Sequence, residues 1–306
     1  MDVTALLNMM PSAAAQGLIW GVMAIGVYVT YKILDVADLT VDGTMCTGGA
    51  VFIMLTMAGV PIPLALLGSF VAGMLAGLAT GLFHTVCGIP AILAGILTQL
   101  ALYSVNLRIM GQANQPISFR NYTLLMSSRN VKSLSLENPI FIGILFTIVI
   151  IALLYWFFGT ELGCSLRATG ANASMARAQG INTNFAKVLG LMLSNGLVAL
   201  SSALLAQYQG FADVNMGRGA IVIGLAAVII GEVLLSKVFR NFALLLLSVV
   251  IGSILYYVVY NVVIWLGLNT DDMKLITALI VALFLSIPYW KGKYFNSARK
   301  GAGTHA

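Results

Sequence analysis

The side chains able to do chemistry in this 306-residue chain are few and scattered. Cys46, Cys87 and Cys164 lack CxxC spacing, and His84 and His305 lie far apart, so neither a metal site nor a redox pair is foreshadowed. No HExxH or GxSxG pattern occurs, and no His–acid or Ser–Lys constellation argues for an intramembrane enzyme. No GxxxxGKS or GxxxxGKT loop occurs either, so this chain does not bind ATP in the P-loop manner. What remains is hydrogen-bonding chemistry set among apolar runs: Asp35, Asp38 and Asp42, then Gln99 and Asn106, Ser194 and Asn195, and Gln207. Groups of this kind either tie helices together or line the path of a polar solute. On the second reading the path candidates are Asp38, Asp42, Gly43, Gln99, Asn106, Asn195 and Gln207. The three aspartates are spaced three and four apart, so on a helix they would share a face and repel unless water or cations attend them. Their segment reads either as a solvated hairpin at the membrane edge or as an interrupted helix whose unwound part, with Gly43, borders water.

The elements that must position these groups follow from composition. Hydrophobic residues make up 60% of the chain and charged residues 8%, with a mean hydropathy of +0.97; soluble domains carry roughly 25% charged residues. Nine apolar runs stand out: Ala13–Leu34, Gly43–Val60, Ile62–Phe83, Ile89–Ile109, Pro139–Phe158, Ala186–Gln209, Gly219–Leu235, Phe242–Leu266 and Met273–Pro288. None alternates with period two, so they predict helices rather than barrel strands. The expectation is an all-α integral membrane domain over 1–306 with about nine spans, eight to ten if the aspartate segment breaks a helix. The first run reads as an uncleaved span. Arg167, Arg177 and Lys187, then Lys237 and Arg240, then Lys291, Lys293, Arg299 and Lys300 fall on one side by parity, and the positive-inside rule makes that side cytoplasmic. The 289–306 tail is then cytoplasmic and the N-terminus outside. The 111–138 loop is assigned outside although it carries Arg120, Arg129 and Lys132. Because lysines and arginines stand singly between apolar runs, nucleic acid is not an expected partner.

Two patterns carry further information. Ala65, Ser69, Gly73, Gly77 and Gly81 recur every four residues, a small-residue groove that lets a second helix approach closely. The longest polar passage, 159–184, contains the helix-forming stretch Ala171–Gln179, closed by Gly180. It predicts a helix of about two turns outside the membrane, with Met175 and Arg177 as its larger side chains, suited to a groove on another protein.

The order Leu166-Arg167-Ala-x-Gly170-x-Asn172, then Ala176 and Gly180-Ile181, resembles the cytoplasmic coupling loop of permeases of bacterial ABC importers, in the branched-chain amino acid and ribose permease superfamily. Met216-Gly217-Arg-Gly219, Gly224, Gly231-Glu232 and Ile33-Leu-Asp35-x-x-Asp38-Leu-Thr-Val-Asp42-Gly43 resemble more closely its branch encoded with tryptophan- or aromatic-amino-acid-type binding lipoproteins. The resemblance implies an inner-membrane importer subunit, with Arg167, Gly170, Asn172, Met175, Ala176, Arg177 and Gly180 coupling to ATP-binding subunits. It implies as further partners an extracytoplasmic binding lipoprotein and a second copy of the chain, with no cofactor here and ATP and Mg on the partner subunits. It also implies two inverted halves, which would place the start of Gly43–Val60 inside and that of Gly219–Leu235 outside. From a different class, an ion-gradient carrier or channel would draw on Asp35, Asp38, Asp42 and Glu232, all near the membrane edges in this topology.

Overall fold

The computed structural model describes residues 3–118, 122, 124–131, 138–235, 239 and 241–266, together with 275, 278–279, 281–283 and 286. Arg120, Lys132, Lys237, Arg240, most of the Met273–Pro288 run and the 289–306 tail lie outside the described residues. The element order is α1 (Val3–Tyr28), continued by a π-helical turn (Val29–Ile33), α2 (Val41–Met57), α3 (Ile62–Thr85), α4 (Ala91–Met110), β1 (Asn114–Pro116) and a 3₁₀ turn (Ser128–Asn130). It continues with α5 (Pro139–Phe158), α6 (Glu161–Ala171), α7 (Ala173–Ala178), α8 (Thr183–Gln209), β2 (Phe211–Asp213), α9 (Ala220–Leu235) and α10 (Phe242–Trp265).

Six of these helices are long and apolar enough to cross a bilayer, and α2 and α9 are shorter apolar helices. An all-α membrane fold is therefore present; nine spans are not established, because the last run lies mostly outside the described residues. At 1.5 Å per residue, the 17 residues of α2 and 16 of α9 reach about 25 Å, short of the roughly 30 Å of a hydrocarbon core.

The bundle has an apolar core like a soluble protein, but it also exposes large apolar side chains and buries hydroxyl and amide groups between helices. Ser69, Thr80, Thr98, Asn106, Ser194, Asn195, Ser201 and Ser202 are buried, while Leu64, Leu67, Val71 and Leu75 on α3 and Phe141, Leu145, Ile148 and Trp156 on α5 are exposed. Lipid accepts the apolar face, and the polar groups find partners inside. Ser201 donates to Ile19 O and Ser194 to Gly26 O, both at 2.7 Å, which sets α1 antiparallel to α8. The small-residue stripe of α3 faces α8: a Cβ on Gly73 or Gly77 would collide with the carbonyl oxygen of Asn195 or Leu191, whereas one on Gly81 would lie 3.1 Å from Val188.

β1 pairs antiparallel with β2, Asn114 opposite Asp213 and Pro116 opposite Phe211. This hairpin-like pair closes one end of the bundle, and α6 and α7 lie at the other.

Candidate functional site: two broken helices meeting at half depth

The π turn at the end of α1 closes with Leu34 N donating to Val29 O and Val36 N to Thr30 O, both at 3.0 Å. Asp35 then adopts φ +55°, a left-handed conformation that Asp tolerates better than most residues. The chain turns back into the bundle as non-helical backbone and becomes helical again at Val41. This corrects two expectations: the three aspartates share no helix face, and Asp38, 2% exposed, is not on a solvated hairpin. The interruption is an unwound stretch that leaves Asp35 and Ala37 at the surface and carries Val36, Asp38 and Thr40 into the bundle.

Asp38 holds that stretch. Its Oδ1 accepts from Thr40 N at 2.9 Å and its Oδ2 from Asn195 Nδ2 at 2.7 Å; Asn195 Oδ1 accepts the Thr44 hydroxyl at 2.7 Å, and Asn195 Nδ2 also donates to Leu191 O at 3.0 Å. A second chain of hydroxyls, Thr40 to Thr80 at 2.7 Å and Thr80 to Thr98 at 2.9 Å, ties α2 to α3 and α4. Asn195 lies at the middle of α8, and a Cβ on Gly43 would sit 3.1 Å from Cα of Gln99, near the middle of α4. The N-terminus of α2 is therefore at half depth.

So is that of α9. The Asp42 carboxylate accepts the N–H of Gly219 on Oδ2 and of Ile221 on Oδ1, both at 3.0 Å. Gly217 is pressed against the Asp42 carbonyl oxygen, where a Cβ has no room. From this crossing α2 runs toward the hairpin end and α9 toward the α6–α7 end, where Glu232 pairs with Lys32 at 2.7 Å. The sequence expectation put the two helix starts on opposite sides of the membrane; the structure brings them together. Each helix N-terminus carries about half a positive charge on unpaired N–H groups, so one carboxylate serves two dipoles.

Beside the crossing lies a cavity of about 280 Å³ lined by Asp42, Gly43, Cys46, Gln99, Leu100, Tyr103, Asn106, Val214 and Arg218. It gathers four of the path candidates, Asp42, Gly43, Gln99 and Asn106. Asp38 and Asn195 belong instead to the buried latch behind it. Gln207 lies apart, toward the hairpin end, where its Oε1 accepts from Leu125 N at 3.2 Å and its Nε2 has no partner. Arg218, Tyr103 and Cys46 were not singled out as path residues; the available signal was a cation set between two glycines just before an apolar run. No group of three His, Cys, Asp or Glu that could hold a metal occurs among the described residues.

At the far end the polar passage forms two helices, not one. Asn172, at φ −161°, breaks the helix after Ala171 and caps α7 by accepting from Met175 N at 3.0 Å. Its extended backbone and side-chain cap suit a helix start, not a helix interior. Ala176 is buried, while Met175 is 63% exposed and Arg177 and Gly180 are exposed. Arg167 stacks on Phe158 and Phe242, its guanidinium carbon 5.3 and 4.3 Å from the ring centroids. Gly170 sits directly against the Ile33 carbonyl oxygen, so α6 touches the π turn that leads into the unwound stretch.

Residues 9–286 match the family described as branched-chain amino acid transport system / permease component. The chain is 40% identical over 276 residues to the tyrosine transport system permease protein of Clostridioides difficile (strain R20291), covering 90% of each chain. It is 28% identical over 267 residues to the galactofuranose transporter permease protein of Escherichia coli (strain K12), covering 86% of this chain and 74% of that one. Among solved structures, PsaBC from Streptococcus pneumoniae in complex with Fab aligns with a TM-score of 0.55 at 16% identity over 97% of this chain and all of that one. An inward-facing putative metal-chelate type ABC transporter aligns with a TM-score of 0.50 at 17% identity, over 92% of this chain and 85% of that one. At such identities these two structures speak for the fold alone. The curated relatives are transport subunits, and the apolar helices make this chain a multi-pass membrane protein of the same kind rather than an enzyme. The chain thus belongs to the family of branched-chain amino acid transport system permease components, the ABC-type permeases that its coupling-loop and aspartate motifs resemble.

Proposed function

We propose that this chain forms the translocation path of an ABC importer for an amino acid, with an aromatic one such as tyrosine as the leading candidate. The observation that carries the reading is the meeting of two short-helix N-termini, those of α2 and α9, around Asp42, beside a polar cavity at half depth. Interrupted helices put unpaired N–H groups and carbonyls where a solute can use them, at the depth where access must alternate. The tyrosine transport permease relative supports the choice of substrate.

ATP and Mg would be held by separate ATP-binding subunits, and the solute delivered by an extracytoplasmic binding lipoprotein, with a second copy of this chain completing the path. The chain would sit in the bacterial inner membrane with its C-terminus cytoplasmic. Met175 and Arg177, exposed on α7, would meet the ATP-binding subunit, with Asn172, Ala176 and Gly180 shaping the loop. Motion of α6 would pass through Gly170 to the Ile33 carbonyl and on to the unwound stretch ending at Asp42. An ion-gradient carrier finds less support, because Asp38 and Asp42 spend their oxygens on protein N–H donors.

The test is uptake of radiolabelled L-tyrosine by proteoliposomes holding this chain with its ATP-binding subunits and binding protein. ATP-dependent uptake that survives a protonophore is the expected result. Uptake by this chain alone, abolished by the protonophore, would overturn the reading.

A further inference from the structure

We infer that the cavity at the α2–α9 crossing binds the α-ammonium and α-carboxylate of its solute, through Asn106 and Arg218 respectively, and sets no charged group against the side chain. The inference rests on the transport reading above and deepens it. Three observations converge. Asn106 is fully buried and lines the cavity; its Nδ2 donates to Gly43 O at 3.4 Å, but its Oδ1 has no hydrogen-bond partner. The adjacent Cys46 sulfur faces the donor side of the same amide, so it leaves that oxygen unpaired. A buried amide oxygen left unpaired is costly, and a protonated amine supplies what is missing.

The second observation is a cation without an anion. Arg218 lines the same cavity, and no carboxylate among the described residues pairs with it. Asp42, the acid next to it in the cavity, is occupied by the two backbone N–H donors of α9. An arginine at half depth must meet water or an anion, and its planar fork fits a carboxylate. One wall of the cavity thus asks for a donor and another for an anion, the two ends of a zwitterion.

The third observation is size and lining. About 280 Å³ is just under the range of pockets for drug-sized molecules and on the scale of one amino acid. Apart from Asp42, Gly43, Asn106 and Arg218 the wall is Leu100, Val214, Cys46, Tyr103 and Gln99, which sets no charged group against a solute side chain. The permease would then accept α-amino acids of different uncharged side chains with similar strength and reject molecules lacking either charge.

The experiment is saturation-transfer NMR and thermal shift on the purified full chain in nanodiscs, titrated separately with L-phenylalanine, L-leucine, phenethylamine, 3-phenylpropionate and inorganic phosphate. L-phenylalanine and L-leucine should bind within a few-fold of each other, and the three probes that carry charge of one sign only about tenfold or more weaker. Arg218→Gln, at an exposed position, should keep the ligand-free melting temperature and lose the preference for L-phenylalanine over phenethylamine. Asn106→Ala should lose the preference over 3-phenylpropionate. Equal binding of the probes with charge of one sign only, binding of phosphate alone, or no binding of any amino acid by the wild type would overturn the inference, and the probe series on wild type decides even if a variant fails to fold. ATP-driven uptake of L-tyrosine together with any of those results would sink the head-group site and leave the transport reading standing; absent uptake with intact amino acid binding would do the reverse.

Discussion

Asp42 accepts the backbone N–H of Gly219 at 3.0 Å across 177 positions of sequence, joining the first turn of α2 to the first turn of α9. The same carboxylate takes the Ile221 N–H, so its charge is spread over the ends of two helices that run in opposite directions. Anything that moves α2 along its axis must break or carry this junction.

Replacing Asp42 by Asn keeps one acceptor oxygen and points an NH₂ group at the other helix N–H. Loss of one charge-assisted bond should destabilise the α2–α9 junction by about 1.5–3 kcal/mol, so uptake should fall while the helices persist. Uptake assays beside circular dichroism check this; wild-type uptake by Asp42→Asn would remove Asp42 from the working part of the fold.

The latch at Asp38 makes a reciprocal prediction. Asp38→Asn and Asn195→Asp each place like groups face to face across a 2.7 Å contact, and each should destabilise the chain by about 1.5–3 kcal/mol. The double exchange restores a donor opposite an acceptor. The carboxylate it introduces on α8 can still receive the Thr44 hydroxyl, though the bond to Leu191 O is lost. Melting temperatures in detergent should show the double variant above either single one, the mark of direct coupling.

Helix packing should discriminate between two glycines of one stripe. Gly77→Ala drives a methyl group into the Leu191 carbonyl and should cost about 1–3 kcal/mol, visible as reduced folded yield. Gly81→Ala meets the Val188 Cα and side-chain methyls at 3.1–3.2 Å, a tight contact that a shift of a few tenths of an ångström relieves, and should cost clearly less than Gly77→Ala. Equal behaviour of the two would mean that α3 and α8 do not hold this close approach.

For coupling, Met175→Asp and Arg177→Asp should each abolish co-purification with the ATP-binding subunit without lowering the melting temperature, since both side chains are exposed. Gly170→Val should leave that association intact but separate ATP hydrolysis from uptake, because it wedges α6 off the Ile33 carbonyl. Retained uptake in Gly170→Val would show that force does not travel by this contact.

Much of the architecture was legible along the chain because its causes are local. An apolar run long enough for a bilayer must pair its own amides, so α3, α4, α5, α8 and α10 follow from composition. Asn172 was legible as part of a family motif but not as a helix break, because Ala171–Gln179 is rich in helix formers and the cap competes with that propensity over one residue. Asp38 and Asn195 were legible as polar groups in apolar surroundings, but nothing local told a latch from a path.

The sequence by itself determined a membrane protein of many helices, the small-residue face of α3, and an interruption before Gly43. Only the tertiary structure decided that this interruption meets the one before Ala220 at half depth. Period and composition report how a residue relates to its own helix and to lipid, whereas a contact such as Asp42 to Gly219 depends on how far two distant segments penetrate the bundle. That depth is set by packing, through Asn195 on Asp38 and Gly217 on Asp42, and leaves no trace in either segment read alone.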